Sequence, residues 1–167
     1  STIVRLMGKD SDNFAAEMLV KATGAFDAGR GTTAAGARTV VHELEERSVP
    51  TDDVVIVDGS GLSLRDRTTT SALVATLVSA ARDPRIAAPF RASLAIGGVD
   101  GTLRSRFTTR PARGRVRAKT GTLNEASSLS GYAGKFVFSV LVNGRAVDHS
   151  LAHEVQDRVA TALVRRS

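Results

Sequence analysis

Val116-Arg117-Ala118-Lys119-Thr120-Gly121-Thr122, Ser128-Leu129-Ser130-Gly131-Tyr132-Ala133 and Phe136-Val137-Phe138-Ser139-Val140-Leu141-Val142-Asn143 lie close together late in a chain of 167 residues. Each has the length and composition of a strand. The segments between them are too short for a crossover, so neighbouring strands must pair antiparallel. Asn143-Gly144 is a strong turn signal between alternating apolar runs.

Helical patterning surrounds these strands. Phe14 to Thr23 places Phe14, Met18, Leu19 and Ala22 at helical spacing and meets a candidate C-terminal glycine at Gly24. Thr32 to Arg47 reads as a second helix, with Ala35, Val40, Val41 and Leu44 as its buried set, and stops before Pro50. Thr68 to Arg82 reads as a third, and Ile86 to Ile96 as a fourth that ends at Gly97-Gly98. Ser150 to Arg166 is a terminal amphipathic helix with Leu151, Val155, Val159 and Leu163 on one face. Between the second and third helices, Val54-Val55-Ile56-Val57 predicts a short buried strand. The fold class is α+β, a late antiparallel sheet covered by helices.

Hydrophobic residues at 42% place the chain outside the disordered class. With six Phe, one Tyr and no Trp, the core must be built from Val, Leu, Ala and Ile. The absence of cysteine removes disulfides, thiolate metal sites and thiol nucleophiles together. The formal charge of +6 fits either attraction to a polyanion or a surface that complements an acidic partner segment. No basic run with interleaved aromatics and no nucleic-acid motif is present, so nucleic acid is not the expected partner. No apolar stretch approaches the ~18 residues of a membrane helix, and no signal peptide is visible.

Two short motifs carry chemistry. Ser11-Asp12-Asn13 sits on a turn that feeds a helix, and Lys119-Thr120-Gly121 sits on a strand. Alone, the first is an ordinary helix cap and the second an ordinary strand end. Together, in this order and in these contexts, they match elements two and three of the active-serine enzymes that bind penicillin. Element one, Ser-x-x-Lys, is not found. The residues three places before Lys9, Lys21, Lys119 and Lys135 are Leu6, Met18, Val116 and Tyr132.

Between the motifs, Asp58-Gly59-Ser60-Gly61-Leu62-Ser63 resembles a signature of the D-alanyl-D-alanine carboxypeptidases of the peptidase S13 family, the low-molecular-mass class C penicillin-binding proteins. Gly98-Val99-Asp100-Gly101-Thr102-Leu103, Arg117 to Leu123, Leu129-Ser130-Gly131-Tyr132 and Phe138 to Gly144 fit the same family, so the resemblance covers nearly the whole chain. It implies that residues 1–167 are the C-terminal part of a single penicillin-binding catalytic domain. The chain opens on what reads as mid-domain sequence, and the nucleophile is expected on an upstream N-terminal polypeptide of the same precursor.

The resemblance also implies roles. Ser11 would pass a proton toward the leaving amine. Asn13 would hold the substrate amide and steady the upstream lysine. Lys119 would supply charge for the terminal carboxylate and sustain the proton path through Ser11, and the Thr120 hydroxyl would bind that carboxylate. Gly121, lacking a side chain, would let substrate lie along the strand. The Thr122 N–H would be one oxyanion donor. Ser60, Gly61 and Leu62 would line the pocket for the penultimate side chain. Members often carry Arg just after that segment, where this chain has Leu64 followed by Arg65, so side-chain specificity is left open.

The implied substrate is the peptidoglycan stem peptide, the implied inhibitors are β-lactams, and the implied location is extracytoplasmic, in the periplasm or cell wall. No cofactor and no metal are called for. His149 and His153 have ligand spacing on a helix, but no glutamate completes a His-Glu-x-x-His motif, so a solvated helix face is expected. His42 is expected to be exposed.

Two other functions stay open. A class A β-lactamase would need a glutamate on a loop to activate the deacylating water. Glu43, Glu45 and Glu46 fall in the right range but on a predicted helix. A catalytically dead, binding-only homologue is the other.

Overall fold

The computed structural model describes residues 2–167. Helices α1 (Thr2–Asp10), α2 (Asn13–Ala28), α3 (Thr33–Glu46), α4 (Thr70–Arg82) and α5 (Ala87–Ser93) come first. A two-residue strand β1 (Ala95–Ile96) and a 3₁₀ turn at Gly101–Leu103 follow. Strands β2 (Val116–Leu123), β3 (Ala126–Ala133) and β4 (Phe136–Asn143) lead to the terminal helix α6 (His149–Arg165). The sheet order is β1-β2-β3-β4, with every pairing antiparallel. This is the α+β arrangement expected from the short connections.

Register decides which side chains share a face. Lys119 lies opposite Ser130 and Arg117 opposite Tyr132, while Ala118 lies opposite Gly131 and Thr120 opposite Leu129. Alternation along each strand then puts Val116, Ala118, Leu129, Ala133 and Phe138 on one face. There they pack with Leu103, Ala160 and Val164 in a single core cluster. Tyr132 and Val137 point the other way, against Leu77, Phe90 and Leu94. The Tyr132 hydroxyl donates to the Leu77 carbonyl at 2.8 Å, which satisfies it in the interior. Helices therefore cover both faces, and Lys119 stands on the α4–α5 side.

Several expectations are corrected. Helix α2 does not stop at Gly24 but runs to Ala28 and ends on Gly29, whose φ of 65° is the left-handed cap. Gly24 serves contact instead: a Cβ there would lie 2.5 Å from the Gly36 nitrogen of α3. Val54–Val57 forms no strand. Val55 makes one isolated bridge to Arg67 and is 47% exposed. The helix expected over Ile86–Ile96 ends at Ser93, and Ala95–Ile96 joins the sheet edge beside Ala118 and Arg117. Asn143-Gly144 does not open a hairpin. The Gly144 N–H donates to the Glu125 carbonyl, and the chain turns into α6, capped by Asp148.

Helix α6 also faces inward differently from its periodicity. Ala152, Gln156, Ala160 and Val164 are its buried residues, and Leu163 packs at their margin. Leu151, Val155 and Val159 are exposed. Small residues let the helix lie close on the sheet. The fully buried Gln156 is tolerated because its carbonyl accepts from Arg106 and its amide donates to Ser127, both at 3.0 Å. His149 and His153 are half-buried on this helix rather than fully solvated, with ring centroids 6.3 Å apart. Among the described residues no cluster could hold a metal, and no helix is long and apolar enough to cross a membrane. His42 is exposed and pairs with Glu45 and Glu46.

Candidate active site

Ser11 occupies the junction between α1 and α2 with φ of 58°, in the left-handed region. A non-glycine residue there is uncommon and is found where surrounding structure over-determines it. Asp12 follows as the cap of α2, its carboxylate accepting the Ala15 N–H at 2.8 Å. Asn13 is the first residue of α2 and is exposed. The kinked junction turns Ser11 toward the sheet, where the Lys119 ammonium donates to its Oγ at 2.6 Å. The two residues are 108 apart in sequence. Lys119 also donates to the Thr120 carbonyl at 2.7 Å. Burial pushes the pKa of this ammonium below its ordinary value, so its neutral form is easier to reach. A lysine so placed can exchange a proton with the Ser11 hydroxyl.

The edge of β2 beyond Lys119 is open. Strand β1 pairs only with Arg117 and Ala118, so Lys119 to Leu123 bond to β3 on one side and to no strand on the other among the described residues. An unpaired strand edge is a template for an extended peptide. Thr120 projects from that edge, its hydroxyl 2.9 Å from that of Thr102. A Cβ on Gly121 would lie 2.5 Å from the Ser128 Oγ, so the strand accepts no larger residue without displacing Ser128. Thr122 pairs with Ser127 across β2–β3.

Ser60, Gly61 and Leu62 lie in a loop wound around the Asp58 carboxylate. Asp58 accepts the Gly61 N–H at 2.5 Å, the Ser60 hydroxyl at 3.0 Å and the Ser63 N–H at 2.8 Å. Burial raises its pKa, but these hydrogen bonds outweigh it and hold the carboxyl below its ordinary value. The loop is tied to α2 by Glu17, which accepts the Gly59 N–H at 2.7 Å and the Thr33 hydroxyl. A cleft of about 980 Å³ adjoins the loop, lined by Ser60, Gly61, Leu64, Leu123 and Ser128 among others. Leu62 is 54% exposed and stands outside that lining.

The structure thus brings Ser11, Lys119 and Thr120 together and sets Ser60 and Gly61 beside the neighbouring end of β2. Glu17, Thr102 and the pair Lys9–Asp100 were not assigned roles from sequence. For Thr102 and Asp100 the signal was the Gly98–Leu103 stretch, which stood out without suggesting a purpose. For Glu17 there was none. The α3 glutamates weighed for a β-lactamase are engaged elsewhere: Glu43 with Arg47, Glu45 with Thr51, Glu46 with His42.

The sequence model of the D-Ala-D-Ala carboxypeptidase 3 (S13) family matches residues 1–166. The chain belongs to that family. A D-alanyl-D-alanine carboxypeptidase of an Actinomadura species is 41% identical over 164 residues, which is 93% of this chain and 30% of that protein. The carboxypeptidase DacB of Mycolicibacterium smegmatis is 34% identical over 134 residues, 77% of this chain and 29% of that protein. Penicillin-binding protein 4 of Haemophilus influenzae, solved in complex with a β-lactam, superposes with a TM-score of 0.87 at 22% identity, covering 98% of this chain and 41% of that one. At that identity the likeness is one of fold. This S13 family chain spans about a third of the length of the curated relatives it matches.

Proposed function

We propose that this chain is the C-terminal part of a single penicillin-binding catalytic domain. The enzyme is a serine-type D-Ala-D-Ala carboxypeptidase or endopeptidase of peptidoglycan stem peptides, acylated by β-lactams and working outside the cytoplasm. The nucleophilic serine and its lysine come from an upstream polypeptide of the same precursor. The observation that carries the reading is the 2.6 Å contact between Lys119 Nζ and Ser11 Oγ beside an open strand edge.

In this mechanism the stem peptide adds to the free edge of β2 from Lys119 to Thr122, passing over Gly121. Its terminal carboxylate meets the Lys119 charge and the Thr120 hydroxyl. The upstream serine attacks the carbonyl carbon between the two D-alanines, and its proton passes to the upstream lysine. The oxyanion forms against the Thr122 N–H, a contact of the kind worth ~100- to 1000-fold in rate. As the C–N bond breaks, Ser11 gives its proton to the leaving amine and regains the one the upstream lysine took from the nucleophile, while Lys119 keeps its charge and holds the Ser11 hydroxyl in that path. Asn13 holds the substrate amide. Water then hydrolyses the acyl-enzyme.

The test is covalent labelling. The full-length protein incubated with a fluorescent penicillin should give a labelled band on denaturing electrophoresis. The isolated 167-residue chain should give none, because it holds no serine paired with a lysine base at Ser-x-x-Lys spacing. An unlabelled full-length protein overturns the reading.

A further inference from the structure

Thr120 and Thr102 face each other across the open edge of β2, their hydroxyl oxygens 2.9 Å apart. A hydroxyl has one proton and two acceptor lone pairs. The Thr120 hydroxyl donates its hydrogen bond to the Thr102 oxygen. A carboxylate is acceptor-only, so Thr120 must redirect that proton to bind one. Thr102, exposed at its own position, is free to rotate and return its proton to the Thr120 oxygen. The result is a chain from Thr102 to Thr120 to carboxylate, in which each hydrogen bond polarises the next.

The position of Thr102 is set from the other side of the site. It lies in the 3₁₀ turn Gly101–Leu103, whose Leu103 is fully buried. Just before the turn, Asp100 accepts the Ile96 N–H at 2.8 Å and the Lys9 ammonium at 2.6 Å. Lys9 also donates to the Leu94 carbonyl at 3.2 Å. Gly101 has φ of 56°, and a Cβ on it would lie 2.5 Å from the Lys9 carbonyl oxygen. The end of α1 is therefore packed backbone to backbone against this turn, two residues before Ser11. One strap, Lys9–Asp100, fixes both Ser11 and Thr102 relative to β2.

We propose that Thr102 is a positioning residue of the carboxylate subsite, reversing its hydrogen bond with Thr120 so that it donates to the Thr120 oxygen when a carboxylate is bound. The proposal rests on the functional reading above and adds a second hydroxyl to it.

The experiment uses full-length protein and two probes, a penicillin with its free carboxylate and the same penicillin as its methyl ester. Acylation rates and melting temperatures are compared for the parent, Thr102→Val and Thr102→Ser. Thr102→Val should lose up to about tenfold with the acid, in line with one neutral hydrogen bond, and less than about twofold with the ester. Thr102→Ser should restore the acid rate, and neither variant should move the melting temperature appreciably. Equal losses on acid and ester, or a parental acid-to-ester ratio in Thr102→Val, overturn the role of Thr102 while leaving the functional reading standing. If Thr102→Val does not fold, Thr102→Ala against Thr102→Ser reads the same ratio. A parent that neither probe acylates overturns the functional reading and this inference with it.

Discussion

Strand β2 and the loop at Asp58–Ser63 both carry motif residues, but they are built differently. The strand is held by a continuous ladder to β3 from Val116 to Leu123, with a buried face of Val116 and Ala118 beneath it. The loop makes no strand. Its shape depends on the Asp58 carboxylate inside it and on the Glu17 carboxylate beneath it. Chemistry that must place a proton within a few tenths of an ångström belongs on the first kind of support. Discrimination between side chains tolerates the second, and a loop held by a few polar anchors can change its exposed residues freely. Leu62 and Leu64, both more than half exposed, are such residues.

The sharpest way to break this contrast is Lys119→Ala in the full-length protein. Acylation by penicillin should fall at least ~100-fold, comparable with loss of an electrostatic stabiliser, while the melting temperature hardly moves. The small thermal effect follows because Lys119 lies outside the apolar core cluster. Parental acylation by this variant would sink the motif assignment. Thr120→Val keeps the shape and deletes the hydroxyl. Its loss should be about tenfold and confined to substrates with a free terminal carboxylate. An equal loss on esterified penicillin would move Thr120 out of the carboxylate subsite.

The loop should answer in the opposite sense. Asp58→Ala leaves the Gly61 and Ser63 N–H groups without their partner, and should cost about 1 kcal/mol of stability. Acylation by a small penicillin should stay within about threefold, because the strand is untouched. Discrimination between stem-peptide side chains should weaken. A large loss with small penicillins would show that the loop supports the chemistry directly.

The smallest expected effect is on pH. Asp58 and Glu17 are both held below their ordinary values of 3.8 and 4.5, Asp58 because its hydrogen bonds outweigh the upward push of burial, Glu17 chiefly by the Thr33 hydroxyl and then the Gly59 N–H. Folding therefore favours their ionised forms. Their contribution is fully present above those ordinary values and is lost as pH falls through the lower folded values. Protection of the Gly59, Gly61 and Ser63 amides, taken relative to their intrinsic exchange rates, should fall below about pH 4, before protection along β2–β3 falls. Simultaneous loss of protection in loop and strand would erase the distinction between them.

How much was legible depended on the range of the interaction. The three strands, their antiparallel order and helices α3, α4 and α6 could be read locally, because period and turn chemistry act over a few residues. The misread elements turned on distant partners. Gly24 looked like a helix end because its packing partner, Gly36, lies on the next helix. Ala95–Ile96 looked helical because its pairing with Ala118 and Arg117 crosses an irregular segment. The inward face of α6 is not its most apolar one. Closeness to the sheet selected Ala152 and Ala160 instead, with Gln156 paired to Arg106 and Ser127.

By itself the sequence determined the fold class, the family resemblance and the identity of the motif residues, since each is read from local runs whose period, turn chemistry and residue identity need no distant partner. Only the tertiary structure decided that Lys119 reaches Ser11, that no strand pairs with the edge of β2 past Ala118 among the described residues, and that Lys9, Asp100 and Thr102 join the end of α1 to that edge. The physical reason is that hydrogen bonds and ion pairs act over about 3 Å, while the residues concerned lie 18 to 108 positions apart along the chain.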